Sequence, residues 1–424
     1  MSTPADDEPD RAADRTAWLV VLLLCPVALL NYLDRQMLAA MKLSVMSDVP
    51  TILTDANWGR MLGQFKWVYA LASPLGGWLA DRYGRRAVVC GSLLVWSAVT
   101  WSTGHLASYD GLLLTRSLMG LSEAFYIPAA LALIADHHRG RTRSRAVGLH
   151  QMAIYCGVIA GGFTGYLADQ PHLGWRWAFH TCGLAGMAYA LPLLLLLPRE
   201  ARGTDPAAAT PASARADRRS ASLAASAREL VGNGSFLLLV VYFTLPALAG
   251  WMVRDWMPAI LREQFGIGQG RAGVSATLYW QLAAIVGALG GGALADAWSR
   301  RHLRGRIYTS ALGMALVVPA MLGLGGAATL QAAVLSLAVF GLGWGVFDCN
   351  NMPILCQLVR PRLRAAGYGI MNLVSIGAGG AADWVVGALR DARVPLQTIF
   401  GAFAGAAALS IAVGLLIRPR PDPA

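Results

Sequence analysis

Residues 31–36, Asn-Tyr-Leu-Asp-Arg-Gln, place Asp34 beside Arg35 inside an apolar run that begins at Ala17 and resumes from Met37 to Met41. Charged side chains there are expensive to bury, so they need an internal or aqueous cavity. Arg35 keeps its proton, and its planar fork matches a carboxylate, which makes a buried arginine facing a cavity a natural anion site. Asp34, and Glu123 in a later apolar run, are titratable. Desolvation and the charges of Arg35 and Arg116 pull on their proton affinity in opposite senses, and the balance changes when a substrate anion occupies the arginine. A proton on the carboxylate then frees the arginine for the substrate, which is a physical route to symport. The competing reading is a permanent structural ion pair.

Further candidates share the apolar segments. Tyr32 lies on the same stretch as Arg35, and Arg116 lies about two turns from Glu123. Arg116 is open to two readings, proton coupling or helix–helix bonding. Lys66 sits roughly fifteen residues, or ~22 Å, from Asp81 at a helical rise of ~1.5 Å; it either snorkels outward or faces the cavity as a second cation. Tyr69, one turn on, shares its face and is a candidate donor of a substrate hydrogen bond. In the second half of the chain Arg254 and Asp255 are adjacent, and Arg254 follows Ser235 at the distance that separates Arg35 from Thr16. This dyad either faces the same cavity from the opposite half or forms a gate at the outer mouth. Tyr279, Gln281, Asp348, Asn350, Asn351, Tyr368, Asn372 and Ser375 supply groups that suit hydroxyls.

The elements that must hold these residues are membrane helices. The chain has 424 residues, 56% hydrophobic and 14% charged, with a positive mean hydropathy, which places it among multi-span membrane proteins. The net charge of +11 falls in short clusters between apolar runs, where it sets topology rather than binding nucleic acid. Apolar runs cover 17–41, 58–80, 87–106, 111–135, 146–168, 177–197, 235–261, 272–295, 305–324, 328–357, 365–389 and 395–417, most near the ~20 residues a helix needs to cross. The expected fold is therefore all-α, with 12 transmembrane helices. With both termini inside, only Lys42, Arg176, Arg262, Arg271, Arg390 and Arg393 fall in outer segments, so cytoplasmic termini are expected. Residues 199–232, rich in Ala, Ser, Pro and Arg, read as an inner linker between six-helix halves at 17–198 and 233–417, flanked by tails at 1–16 and 418–424. The N-terminus lacks the basic start and short apolar core of a cleaved signal peptide. The six cysteines lack the spacing of a zinc site and read as packing residues. No phosphate-binding lysine loop, zinc motif or nucleophile elbow appears, so no cofactor, metal or enzymatic step is expected.

Three anchors show an internal repeat. Gly76-Gly77-Trp78-Leu79-Ala80-Asp81-Arg82-Tyr83-Gly84-Arg85-Arg86 recurs as Gly291-Gly292-Ala293-Leu294-Ala295-Asp296-Ala297-Trp298-Ser299-Arg300-Arg301. Gly120, Glu123 and Pro128 have the spacing of Gly345, Asp348 and Pro353, and Arg145-Ala-Val-Gly148 matches Arg364-Ala-Ala-Gly367. Two homologous halves in parallel orientation follow.

With these motifs the chain resembles, over essentially its whole length, a major facilitator superfamily transporter. The run at 76–86 is similar to the superfamily's signature loop, which implies that Asp81, Arg82, Arg85 and Arg86 act in gating; Asp255 joins them on the reading of its dyad as a gate at the outer mouth. Asn31-Tyr32-Leu33-Asp34-Arg35 and Arg116 to Ala124 resemble two groups: anion:cation symporters, which take up sugar acids and other organic anions with protons, and Spinster-like lipid transporters. Pro128 fits the first, Leu133-Ile134-Ala135-Asp136 the second, and Asn372 matches an asparagine of the sugar-acid group. The resemblance implies alternating access around a midplane site. The expected function is proton-coupled symport of a small hydroxylated organic anion in a bacterial inner membrane, by a monomer, with sodium as the alternative coupling ion. A Spinster-like lysolipid carrier and a non-transporting solute sensor are the alternatives.

Overall fold

Apolar stretches of this length satisfy their backbone N–H and C=O groups within a bilayer only by coiling on themselves. In the structure, a computed structural model describing residues 8–138, 141–198 and 228–418, the described segments are helical with short connections. In chain order the elements are α1 (Glu8–Ala40), α2 (Lys42–Asp48), α3 (Asp55–Tyr83), α4 (Arg85–Thr103), α5 (Tyr109–Glu123), α6 (Tyr126–His137), α7 (Arg141–Ala168) and α8 (Gly174–Leu196). They continue as α9 (Gly234–Phe265), α10 (Gln269–Ser299), α11 (Gly305–Gly325), α12 (Leu330–Asp348), α13 (Asn351–Leu358), α14 (Arg364–Asp391) and α15 (Leu396–Leu416). Among the described residues, ten helical stretches are long and apolar enough to cross a membrane, with α5–α6 and α12–α13 each counted as one. The other two expected spans are α3 and α4, whose hydropathy is lowered by Arg60, Gln64 and Lys66 and by Ser92, Ser97 and Thr100. Several of these polar residues belong to the site described below.

The chain divides into two compact units. One comprises Met1–Leu53, Gln64–Glu200 and Asp255–Thr277, the other Thr54–Gly63, Ala201–Arg254 and Leu278–Ala424. The backbone passes between them inside α3, α9 and α10. Most of the expected linker (199–227), part of the expected N-terminal tail (1–7) and nearly all of the C-terminal one (419–424) lie outside the described residues.

The repeat read from the sequence has a local structural counterpart in each unit. Helix α5 ends at Glu123 and α6 starts at Tyr126, while α12 ends at Asp348 and α13 starts at Asn351. The cause is a proline placed five residues after each acid. Pro128 and Pro353 cannot donate to the carbonyls of Ala124 and Cys349, and their rings crowd them, so the hydrogen-bond ladder is interrupted there. The linking residues Ala124, Phe125, Cys349 and Asn350 form short turns that keep right-handed dihedrals, so each break interrupts the helical bonding without reversing the chain. The two upstream halves start alike, with Ser108 accepting from the Gly111 N–H and Thr329 from the Ala332 N–H at 3.3 and 3.2 Å. Both are ordinary N-caps.

Small residues set how closely the helices approach. In the first unit a Cβ on Gly157 or Gly161 of α7 would strike the Leu29 or Leu33 carbonyl of α1, and one on Gly162 or Gly165 would strike Gly273 or Gln269 of α10. The small-residue stripe of α7 therefore seats two helices. In the second unit Gly59 and Gly63 of α3 lie directly against the carbonyls of Asp383 and Gly380 in α14. Around Pro26 of α1, the Leu23 and Leu24 carbonyls accept from the hydroxyls of Tyr189 and Tyr126, both at 3.0 Å. Tyr126 also packs edge-on against Trp96 in the apolar core of α1, α4, α6, α7 and α8.

Candidate functional site

Asp34 and Arg35 follow one another on α1, and successive residues on an α-helix point ~100° apart. They therefore do not meet. Glycines 157 and 161 of α7 fix the rotation of α1, and the two side chains go to different partners. Arg35 donates from Nε to Glu123 Oε2 at 2.6 Å, while Asp34 Oδ2 accepts from the Thr100 hydroxyl of α4 at 2.6 Å. Arg35 thus pairs with Glu123 and Asp34 with Thr100, while the two neighbours stay within electrostatic reach of one another.

Three aromatic rings surround the Arg35 guanidinium. Its carbon lies 4.7 Å from the Tyr32 ring, 4.9 Å from Phe65 and 4.7 Å from Tyr69. Phe65 and Tyr69 stack with centroids 5.8 Å apart, one turn apart on α3. Gly120 of α5 holds them close, because a side chain there would meet the Phe65 carbonyl and the Tyr69 N–H. Arg35 is 12% exposed and Glu123 is fully buried. Two atoms of the pair, Arg35 Nη2 and Glu123 Oε1, are buried with no hydrogen-bond partner among the described residues. The same holds for Asp34 Oδ1 and for Arg116 Nε and Nη2, while the Asn31 side chain lies within reach of Glu123. Arg116 lies within electrostatic reach of Asp34 and Glu123, and its guanidinium sits 5.9 Å from the Phe179 ring. The cluster combines an aromatic-walled cation, two acids in distinct settings and several polar atoms left open.

Lys66 does not snorkel outward. It is buried and ion-paired with buried Asp255 of α9. Asp255 thereby turns to Lys66, while its neighbour Arg254 lies over Trp251 at 5.2 Å and Trp280 at 5.9 Å. The adjacent acid and arginine are separated here as they are at 34–35. In the second unit Asp348, the counterpart of Glu123, lies within electrostatic reach of Arg254 and accepts from the Asn351 amide at 3.3 Å. Each unit therefore sets an arginine among aromatic rings within electrostatic reach of an acid at a helix break, as a direct ion pair in the first.

The remaining candidates are divided between the second unit and the signature loop of the first. Asn350 is buried and donates to the Val346 carbonyl at 2.9 Å, inside the break of its own helix. Gln281 is buried, with Nε2 unpartnered among the described residues. Tyr279 is exposed and Asn372 half-buried. At the signature loop, Arg85 pairs with Asp136 and donates to the Ala132 carbonyl at 3.2 Å, and Arg86 donates to the Leu194 carbonyl. These contacts tie the start of α4 to the ends of α6 and α8. Arg82 is exposed over the Tyr83 ring at 5.7 Å, and the Asp81 side chain lies outside the described ones.

Sequence reasoning missed Phe65, Thr100 and Asp136 in these roles. A phenylalanine or a threonine within an apolar run carries no signal of its own. The match of Asp136 to a family stretch said nothing of its partner.

Comparison with known proteins now bears on this geometry. A family model described as Major Facilitator Superfamily matches residues 24–382. Human Protein spinster homolog 1 is 31% identical over 261 residues, 59% of this chain and 47% of that protein, so the chain spans about half the length of the curated relatives it matches first. An MFS-type efflux pump of Mycolicibacterium smegmatis is 29% identical over 389 residues, covering 91% of this chain and 87% of the pump. Among solved structures, an inward-facing, occupied bacterial homologue of the human lysosomal transporter Spinster superposes with a TM-score of 0.80 at 20% identity, covering 96% of this chain and 98% of that one. At that identity the likeness speaks for the fold.

Proposed function

The chain belongs to the Major Facilitator Superfamily of membrane transporters, and from that premise we propose that it is a proton-coupled secondary carrier of an amphiphilic organic anion of the lysolipid class. One observation carries this reading: Arg35 is enclosed by Tyr32, Phe65 and Tyr69, engaged through Nε by Glu123, and left with Nη2 unpartnered among the described residues. A cationic hook with aromatic walls suits an acidic head joined to an apolar body, because the rings shield the head while the fork binds it. Similarity over part of the chain to a protein named as the sphingosine-1-phosphate transporter SPNS2 of Xenopus tropicalis, 29% identical over 203 residues, supports the same class.

Coupling rests on competition. A substrate anion and the Glu123 carboxylate contend for one guanidinium, so a proton on Glu123 releases Arg35 to the substrate. Asp34, held by Thr100, carries protons in the second setting, beside Arg116. The carrier works as a monomer by alternating access, without a chemical step, in a bacterial inner membrane with both termini cytoplasmic as the basic loops direct.

A second reading, proton symport of a small hydroxylated anion such as a sugar acid, is favoured by Gln281 Nε2 and Asn350 Oδ1, both buried without partners among the described residues and suited to hydroxyls. Uptake into reconstituted vesicles separates the two. A lysophospholipid and a sphingoid phosphate are tested against glucuronate and gluconate, each with and without an imposed proton gradient. Gradient-driven uptake of the lipids alone is expected. Uptake of the sugar acids alone overturns the lipid assignment, and gradient-independent uptake overturns the coupling.

A further inference from the structure

Helices α3 and α10 are repeat mates, each ending in a copy of the Gly-Gly signature, and their N-termini present the same unsolved problem. The first N–H groups of a helix have no partner within it. In α3 the Thr54 hydroxyl accepts the Asn57 N–H and its carbonyl the Trp58 N–H, both at 3.1 Å. In α10 the residue before the helix is Gly268, whose carbonyl takes the Ala272 N–H at 3.0 Å but which has no side chain to offer.

In both cases an aspartate from a different helix completes the cap. Asp391, the last residue of α14, accepts the N–H groups of Asp55 and Ala56 at 2.9 and 2.8 Å. Asp169, immediately after α7, accepts those of Gln269 and Gly270 at 3.1 and 2.9 Å. Helices α7 and α14 are themselves repeat mates, opened by Arg145-Ala-Val-Gly148 and Arg364-Ala-Ala-Gly367. Each carboxylate also sits where the partial positive charge of a helix N-terminus favours an anion.

Both contacts are reinforced. Arg390 donates to Asp55 Oδ2 at 2.7 Å, and Gln269 Nε2 bonds Ser44 Oγ at 2.6 Å and Asp169 Oδ1 at 3.3 Å. Below each cap runs a backbone-to-backbone glycine contact: Gly59, Gly63 and Gly387 between α3 and α14, and Gly162, Gly165 and Gly273 between α7 and α10. These seams depend on close backbone approach, and the cap at the end of each fixes the register of the two helices.

We propose that Asp169 and Asp391 are paired latches, each closing one glycine seam by capping the neighbouring helix, and that the two latches release together in the conformational cycle. The proposal rests on the carrier reading for its purpose, but its test needs no substrate. Backbone hydrogen exchange is followed by mass spectrometry on the full chain in lipid nanodiscs, in peptides covering 54–58 and 268–272. In the natural chain both first turns should be protected. Asp391→Ala should speed exchange at 54–58 by about tenfold, the order expected for a lost cap, and should also speed exchange at 268–272; Asp169→Ala should do the reverse. Asp391→Asn, which keeps one acceptor oxygen, should fall between and serves where the alanine variant does not fold, with unchanged protection within α5 as the measure of folding. Unprotected first turns in the natural chain overturn the latches. A change confined to the mutated seam overturns their pairing and leaves two independent caps, an outcome that does not bear on transport itself.

Discussion

Arg35 and Glu123, 88 residues apart in sequence, meet at 2.6 Å where α5 stops. The last carbonyls of α5 are partly negative at that point, so the acid there depends on a nearby cation for its charge. Arg35 supplies it, and the same guanidinium is the proposed anchor for the substrate. Arg35→Ala is expected to abolish substrate binding, measured by loss of ligand-induced thermal shift. Glu123→Gln keeps the hydrogen bond and removes the charge, so substrate exchange across vesicles should persist while gradient-driven accumulation is lost. Normal accumulation by that variant would remove Glu123 from coupling.

The aromatic enclosure makes a separate claim. A cation over an aromatic face gains roughly 0.5–1 kcal/mol when exposed and ~2 kcal/mol when desolvated. Phe65→Leu, which keeps apolar bulk and removes the ring, should weaken binding of a lysophospholipid by about 3- to 30-fold in a titration, with the fold unchanged. Unaltered affinity would show that the ring is only packing.

Lys66 and Asp255 form a buried pair, so removing one partner strands a charge. Asp255→Ala is expected to cost ~3–5 kcal/mol, whereas Lys66→Met with Asp255→Leu should recover most of that loss, because desolvation of both ions disappears together. Thermal unfolding in detergent reads both. Equal destabilisation by the single and double variants would mean that the pair matters for something other than charge balance.

The break after Glu123 depends on Pro128. In Pro128→Ala a backbone N–H becomes available to the Ala124 carbonyl, and α5 and α6 can run on as one helix. Slower hydrogen exchange at 124–128, a higher unfolding temperature and slower transport are expected together. Pro353→Ala should act in the same way on α12 and α13. A faster exchange at 124–128 would show that the proline stabilises the segment instead of opening it.

Much of the architecture is legible in the chain alone. Apolar runs near the length of a membrane span are helical because nothing else satisfies their backbone, and the repeated Gly-Gly and Gly…acid…Pro motifs announce two related halves before any coordinates. The chemistry of the site is legible too, since an arginine and acids within such runs must be housed together. The α7 glycines were visible as a packing stripe, although not that they seat α1 on one side and α10 on the other.

Pairing is what the tertiary structure decided. Asp34 beside Arg35, and Arg254 beside Asp255, look like dyads on paper, but neighbours on a helix diverge by ~100°, and each takes its partner from another helix. Thr100 for Asp34, Glu123 for Arg35 and Lys66 for Asp255 depend on how far each helix is rotated and how closely it approaches. That rotation is set by backbone contacts at glycines 120, 157 and 161. Residue type and spacing therefore determine which helices form and which groups they must bury. Partners are chosen by the packing of whole helix surfaces, a property that no single stretch of the chain contains.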